Sequence, residues 1–174
     1  TNTIRLLPCD SDSYGEQVMA SVEEIRKENP SVTPEDIAII ILGDYRTLCS
    51  IADEVAFSLQ TEYRWESVKG YETKRKDPSK VYISNVNNVK GLEFPFVICV
   101  VPRKITSNIL QRNSIYMALT RSFLTSYFIV DNLNTDFYEL YSGAIEKITT
   151  DGFMKVHEPS EHERAEMAAQ IQIT

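Results

Sequence analysis

Apolar positions along the chain alternate between strand-like and helix-like spacing, and each change of spacing marks a new element. "TIRLLPC" at residues 3–9 reads as a short strand, and "SYGEQVMASVEEIRKEN" places Val18, Val22 and Ile25 on one helical stripe. "TPED" then offers a threonine cap with proline in a first turn, and "IAIIIL" is a continuous apolar run of the kind found in strands covered on both faces. "TLCSIADEVAFSL" returns to helical spacing, with Leu48, Ile51, Ala52, Val55 and Leu59 toward a core. A short strand is expected around "YRWESV", and "KVYIS" and "FPFVICVV" read as two more. "SNILQRNSIYMALTRSF" is a predicted helix with Ser107 as its cap, "TSYFIV" an interior strand, and "TDFYELYSGAIEKI" a further helix. This alternation predicts an α/β fold with a mostly parallel sheet flanked by helices. One domain is expected over residues 1–150, followed by an acidic tail, 151–174, that is either helical or disordered.

Composition narrows the class. The chain has 174 residues, 43% of them hydrophobic, which excludes a disordered or low-complexity protein. No apolar run is long enough to span a bilayer, and "TNTIRLLPCD" lacks the layout of a signal peptide, so no membrane partner is expected. The start without methionine reads as a piece of a longer polypeptide. Cys9, Cys49 and Cys99 are widely spaced and odd in number, which fits a reducing cytoplasm better than a disulfide framework or a zinc site. His157 and His162 sit among glutamates in the tail, and a solvated helix face explains them better than a metal site.

The net charge of −7 argues against a surface that coats nucleic acid throughout. From Arg64 to Val130, however, eleven basic residues stand against four acidic ones, so this segment is +7 and the remainder −14. An anionic ligand therefore belongs to the middle of the chain. For Lys74–Lys76, within "KGYETKRKDPSK", a solvated loop is the simpler explanation.

Between two of the predicted strands the chain passes "NVNNVKGLEFP". Asparagine and glycine tolerate positive φ, so the chain is expected to emerge here from the carboxyl edge of the sheet, where open α/β sheets bind ligands. Gly91 would allow close approach, and Glu93 with Asn85, Asn87 and Asn88 would supply hydrogen-bonding groups; turn chemistry alone accounts for the same residues, and both readings stand. Arg121 lies near a helix end, just before an interior strand, on a face shared with Met117 and Ala118 and opposite Arg112. Its guanidinium needs water, a carboxylate or a phosphate.

The pair "NVNNVKGLEFPFVICV" and "NSIYMALTRSFLTSYFIV", in this order and at this spacing, closely resembles motifs V and VI of the Rep/UvrD-like superfamily 1 DNA helicases. "EDIAIIILGDYRTLCSIADEVA" is similar to the strand and helix that lie upstream in that family, so the resemblance covers about residues 3–131. It implies a C-terminal RecA-like domain that clamps ATP and Mg2+ together with an N-terminal RecA-like domain and moves on single-stranded DNA, with 3′-to-5′ polarity. It further implies that Arg121 stabilises charge during phosphoryl transfer, and that Gly91 and Glu93 meet the nucleotide. Asn85 and Asn87 take the places of a threonine and a histidine that touch DNA, with Asn88 and Lys90 in the same loop. The two asparagines depart from the usual motif, although asparagine still bonds to phosphate or sugar.

None of the six glycines begins a Gly-Lys-Ser or Gly-Lys-Thr, so the phosphate-binding loop of an ATPase is missing. Asp53–Glu54 falls within a helical pattern rather than at a strand end. The chain by itself is thus expected to be inactive, with ATP and Mg2+ bound mainly by the N-terminal half. Relatives carry a large accessory domain where only "QTEYRWESVKGYETKRKDPSK" stands here, and the basic loop is a candidate to replace part of its DNA contact. A degenerate helicase-like module that docks to protein or DNA without hydrolysis is the alternative. A flavodoxin-like or Rossmann enzyme would need a glycine-rich first turn, which "LLPCDSDSYGEQ" lacks. Trp65 and Tyr116 are expected to pack, Tyr116 with its ring buried against the sheet. Arg46 either faces the interdomain cleft or caps its helix, and Arg103 and Lys104 either meet phosphate or are solvated.

Overall fold

The computed structural model describes residues 3–73, 75–103, 109–133 and 160–173. Strands β1 (Thr3–Cys9), β2 (Ile37–Ile41), β3 (Ser67–Lys69), β4 (Val81–Ser84), β5 (Phe94–Val101) and β6 (Ser122–Asp131) form one sheet. Their order is β1-β6-β5-β2-β4-β3, and every neighbouring pair is parallel. The helices are α1 (Tyr14–Glu28), α2 (Tyr45–Tyr63), the single turn α3 (Gly70–Thr73), α4 (Ile109–Leu119) and α5 (Glu161–Ile173). The expected helix over 135–148, the Ser107 cap, Lys104 and the boundary at 150/151 lie outside the described residues. The α/β fold with a parallel sheet is as expected.

The sheet has a core on each face. Every residue of β2 is buried, with Ile37, Ile39 and Ile41 entering one cluster and Ala38 and Ile40 the other. The first cluster is closed by Val18, Val22 and Ile25 of α1 and by Leu48, Ile51, Val55 and Leu59 of α2. The second is closed by Ile115 and Ala118 of α4 and by Val89 of the segment joining β4 to β5. Each such aliphatic side chain contributes roughly 1.5–3 kcal/mol when fully buried, so a central strand of this composition commits the chain to two covered faces.

Local chemistry sets the element ends. The turn Pro34–Asp36 carries the expected threonine cap as a capping box, in which the Asp36 carboxylate accepts from the Thr33 amide at 2.8 Å. Asp44 caps α2 by accepting from the Thr47 amide at 2.7 Å. Arg64 ends α2 in the left-handed region at φ 57°, and the Trp65 amide turns back to the Leu59 carbonyl at 3.1 Å. The strand expected around "YRWESV" therefore starts only at Ser67. Trp65 packs, as expected, beside Tyr63 and the Arg26 guanidinium.

The carboxyl ends of β1 and β6 are tied by polar contacts. The Asp131 carboxylate is buried and accepts from Ser11 Oγ at 2.7 Å, from the Leu133 amide at 2.8 Å and from the Tyr14 hydroxyl. The Tyr14 hydroxyl also accepts from the Arg103 amide, at 3.0 Å. Burial alone would raise the carboxyl pKa, but these donors and the nearby Arg103 charge outweigh it and hold it below the ordinary carboxylate range. Its stabilisation is complete above that range and is lost as pH falls through the folded-state value. Asp131→Asn should therefore lower the urea midpoint at pH 7, and the gap to the parent should close as the pH is brought down through the carboxylate range.

Gly70 opens α3 directly over Tyr82, where a Cβ would come within 2.2 Å of the ring. Both Tyr82 and the backbone at residue 70 are buried, so neither has room to yield. Gly70→Ala should destabilise the domain by about 1–3 kcal/mol in equilibrium denaturation, the usual cost of overpacking.

Candidate functional site

β4 and β5 flank β2 and run parallel to it, so the chain leaving β4 must travel back along the sheet before it can start β5. Ser84 lies level with Ile40 and Cys99, five residues into β5 from Phe94, a return of about 17 Å at strand rise. Residues 85–93 make this crossing across the second face. A 3-10 turn at Val86–Asn88 starts it, with Asn88 Nδ2 donating to Asn85 Oδ1 at 2.8 Å. The Tyr82 hydroxyl donates to the Asn88 carbonyl at 2.8 Å. A second turn closes with the Leu92 amide on the Val89 carbonyl at 3.0 Å, and Gly91 supplies its φ of 82°.

Local packing explains "VKGLEF". Val89 and Phe94 are buried, and Leu92 packs against the same cluster. These apolar residues pin the crossing to the sheet, whereas Lys90, Gly91 and Glu93 are exposed. Nothing lies within 4 Å of the position a Cβ on Gly91 would take. The segment ends at the amino edge of the sheet. Asn85, Asn87 and Asn88 do follow the carboxyl end of β4, but Gly91 and Glu93 stand at the start of β5, opposite to the carboxyl-edge placement expected for the loop. The reason is topological: two parallel strands cannot be joined without a return.

Arg121 comes to the same place from the other motif. α4 ends at Leu119, so Arg121 lies in the turn beyond the helix, its amide on the Ala118 carbonyl at 3.2 Å. Its Nε donates to the Met117 carbonyl at 3.2 Å, so the side chain folds back along the last turn of α4. The Arg121 carbonyl accepts from the Phe94 amide at 2.8 Å, and Ser122 pairs with Phe94. Glu93 and Arg121 thus precede two paired residues and stand side by side at the amino edge. Arg121 is half-buried, and among the described residues no carboxylate lies within ion-pair distance of it. The Arg112 side chain is outside the described residues.

Several features here were not legible in the sequence. The register between β5 and β6 slips between Phe94–Ser122 and Phe96–Thr125, which leaves Phe123 and Leu124 exposed beside Arg121. Tyr116 is 39% exposed rather than buried, because α4 turns Ile115 and Ala118 inward and Tyr116 lies about 100° around from Ile115. The Lys76 ammonium sits 4.4 Å from the centre of the Phe94 ring, so the basic loop, exposed at Arg75 and Lys76 as expected, also touches the start of β5. No apolar periodicity signals such a contact.

The remaining candidates are elsewhere. Arg46 is exposed in the first turn of α2, where it lines an open depression of about 440 Å³ with Ser11, Asp12, Tyr14 and Glu54 at the carboxyl edge. Arg103 is exposed after β5. Asp53 and Glu54 lie within α2, as expected, and Lys69 pairs with Asp53. His162 faces solvent on α5 and meets Glu166 at 3.4 Å. Among the described residues there is no cluster of three or more metal-ligating side chains, and no helix is long and apolar enough to cross a membrane.

Residues 80–129, which hold both the crossing and the Arg121 turn, match the family model described as the UvrD-like helicase C-terminal domain. Over these 50 residues the chain is similar to UvrD-like helicase C-terminal domains. Its sheet also resembles the C-terminal domain of a possible DNA helicase from Lactobacillus plantarum WCFS1, with a TM-score of 0.55 and 15% identity over 75% of this chain and 73% of that one. That similarity speaks for the fold. Domain 2 of the Mss116p DEAD-box helicase, solved bound to an RNA duplex, aligns at a TM-score of 0.47 and 15% identity, covering 95% of this chain and 67% of that one. None of the curated proteins compared matches the chain.

Gly91 offers a test of how the crossing is built. With open space around it but φ at 82°, substitution is limited by backbone conformation and not by a clash. Gly91→Val should cost about 1–2 kcal/mol of stability, and Gly91→Asn distinctly less, because asparagine tolerates the left-handed region.

Proposed function

We propose that this domain is the second motor domain of an ATP-dependent DNA helicase or translocase of 3′-to-5′ polarity, with its nucleotide site shared with an N-terminal RecA-like domain. The observation that carries the reading is the Phe94–Ser122 pairing, which brings residues 93 and 121 to neighbouring positions at the amino edge, with Glu93 exposed and Arg121 half-buried. A guanidinium tethered by Nε to a helix carbonyl and without a carboxylate partner among the described residues suits an oxyanion supplied from outside the domain. ATP with Mg2+ would supply the phosphoryl group, held mainly by the N-terminal domain. On this side Arg121 would hold the developing phosphate charge, Glu93 would accept from a sugar hydroxyl, and Gly91 would let the backbone approach.

Asn85, Asn87, Asn88 and Lys90 would meet single-stranded DNA. Asn87 and Lys90 are exposed and available, whereas the Asn85 and Asn88 side chains bond to each other. That internal bond favours the second reading, a helicase-like module that docks without taking part in hydrolysis. The two are separated by rejoining the chain to its N-terminal half. In the motor reading, DNA-stimulated ATP hydrolysis appears and Arg121→Ala lowers its kcat by about 10³-fold or more, the scale expected for a transition-state arginine. Normal turnover in the Arg121→Ala protein would leave only the docking module.

A further inference from the structure

The basic loop between α3 and β4 differs along its length in how its charges are used. Around it charges are spent internally: Lys69, at the end of β3, pairs with Asp53, and Lys80, at the loop's far end, lies 3.8 Å from Glu66 and 3.6 Å from Asp77. The Asp77 carboxylate also accepts from the Ser79 amide and hydroxyl at 3.0 and 2.8 Å. It is thereby occupied with its C-terminal neighbours. Between these braces Arg75 and Lys76 are exposed, and among the described residues neither has a carboxylate within ion-pair distance.

The loop is also anchored over the site. The Tyr82 and Phe94 rings lie 5.5 Å apart, Lys76 sits on Phe94, and the Tyr82 hydroxyl holds the Asn88 carbonyl of the crossing. Gly70 gives α3 the clearance to lie over Tyr82. The loop and the crossing therefore converge on one aromatic pair, and Lys90, exposed after the buried Val89, adds a third cation without a carboxylate partner among the described residues. In a chain of net charge −7, an array of this kind is a local basic surface and not part of a general attraction for anions.

We propose that Arg75 and Lys76, which lie outside the two helicase motifs, join Lys90 of the first motif in a phosphate-binding track for single-stranded DNA that runs over the Tyr82–Phe94 pair. Three cations spread over a loop and a turn suit a chain of successive phosphates better than a single compact one, and Phe94, already covered by Lys76, is not offered for base stacking. The track rests on the nucleic-acid part of the proposed function but requires no hydrolysis.

The test uses the 174-residue chain and a fluorescently labelled oligo(dT) strand, with anisotropy titrations at several salt concentrations. Arg75→Gln combined with Lys76→Met removes two charges while methionine keeps an apolar contact on Phe94. The salt slope should fall by about 1.4, two phosphates at the single-strand coefficient, and affinity at low salt should fall several-fold. Lys80→Met, at a paired position, should leave the slope unchanged, and an unaltered unfolding midpoint shows that the double variant is folded. A parent that does not bind the strand, or a double variant with the parent's slope, overturns the track. Tighter binding to duplex DNA or to ATP than to the strand overturns its assignment to single strands. Because the ATPase test of Arg121 is separate, failure here leaves that reading standing, and failure there leaves this one.

Discussion

The site depends on one topological constraint: β4 and β5 are parallel but not adjacent, and only nine residues join them. A connection of that length has no room for a helix, so it must lie down on the sheet and find its own anchors. Val89, Leu92 and Phe94 serve as those anchors, and the last of them delivers its amide to the Arg121 carbonyl. Once that hydrogen bond forms, the end of one motif and the end of the other share a register. The juxtaposition of Glu93 and Arg121 follows from strand pairing, which is stiffer than any contact their own long side chains could provide.

The layer architecture was readable from pattern, because "IAIII" is too uniformly apolar to have a wet side and the α1 and α2 stripes are strongly periodic. The motif residues were readable as a resemblance, and their neighbourhood at one sheet edge followed from it. The edge itself is not legible in the sequence. Turn-forming residues tell that a chain reverses, but not that it then crosses a neighbouring strand, since strand order is a long-range property. The same limit explains Tyr116: a helix of mixed polarity shows two plausible inner faces until the sheet beneath selects Ile115 and Ala118. Arg64 misled differently, because a non-glycine residue at positive φ leaves no compositional trace.

Charge behaved as a regional signal and not as a residue-level one. The excess of cations between Arg64 and Val130 was visible in the sequence, but which of them are neutralised was not. Lys69 and Lys80 find carboxylates that come from α2 and from the flanking coil, while Arg75 and Lys76 have none among the described residues. The pairing depends on which segments fold against the loop.

Among the described residues, the two faces of the sheet are covered unequally. One carries two long helices, and the other, in its central part, a nine-residue strap and α4. The strap is held to the strands beneath it by three apolar side chains, Val89, Leu92 and Phe94. Any displacement of the strap would therefore reach Glu93 directly and Arg121 through the Phe94 amide.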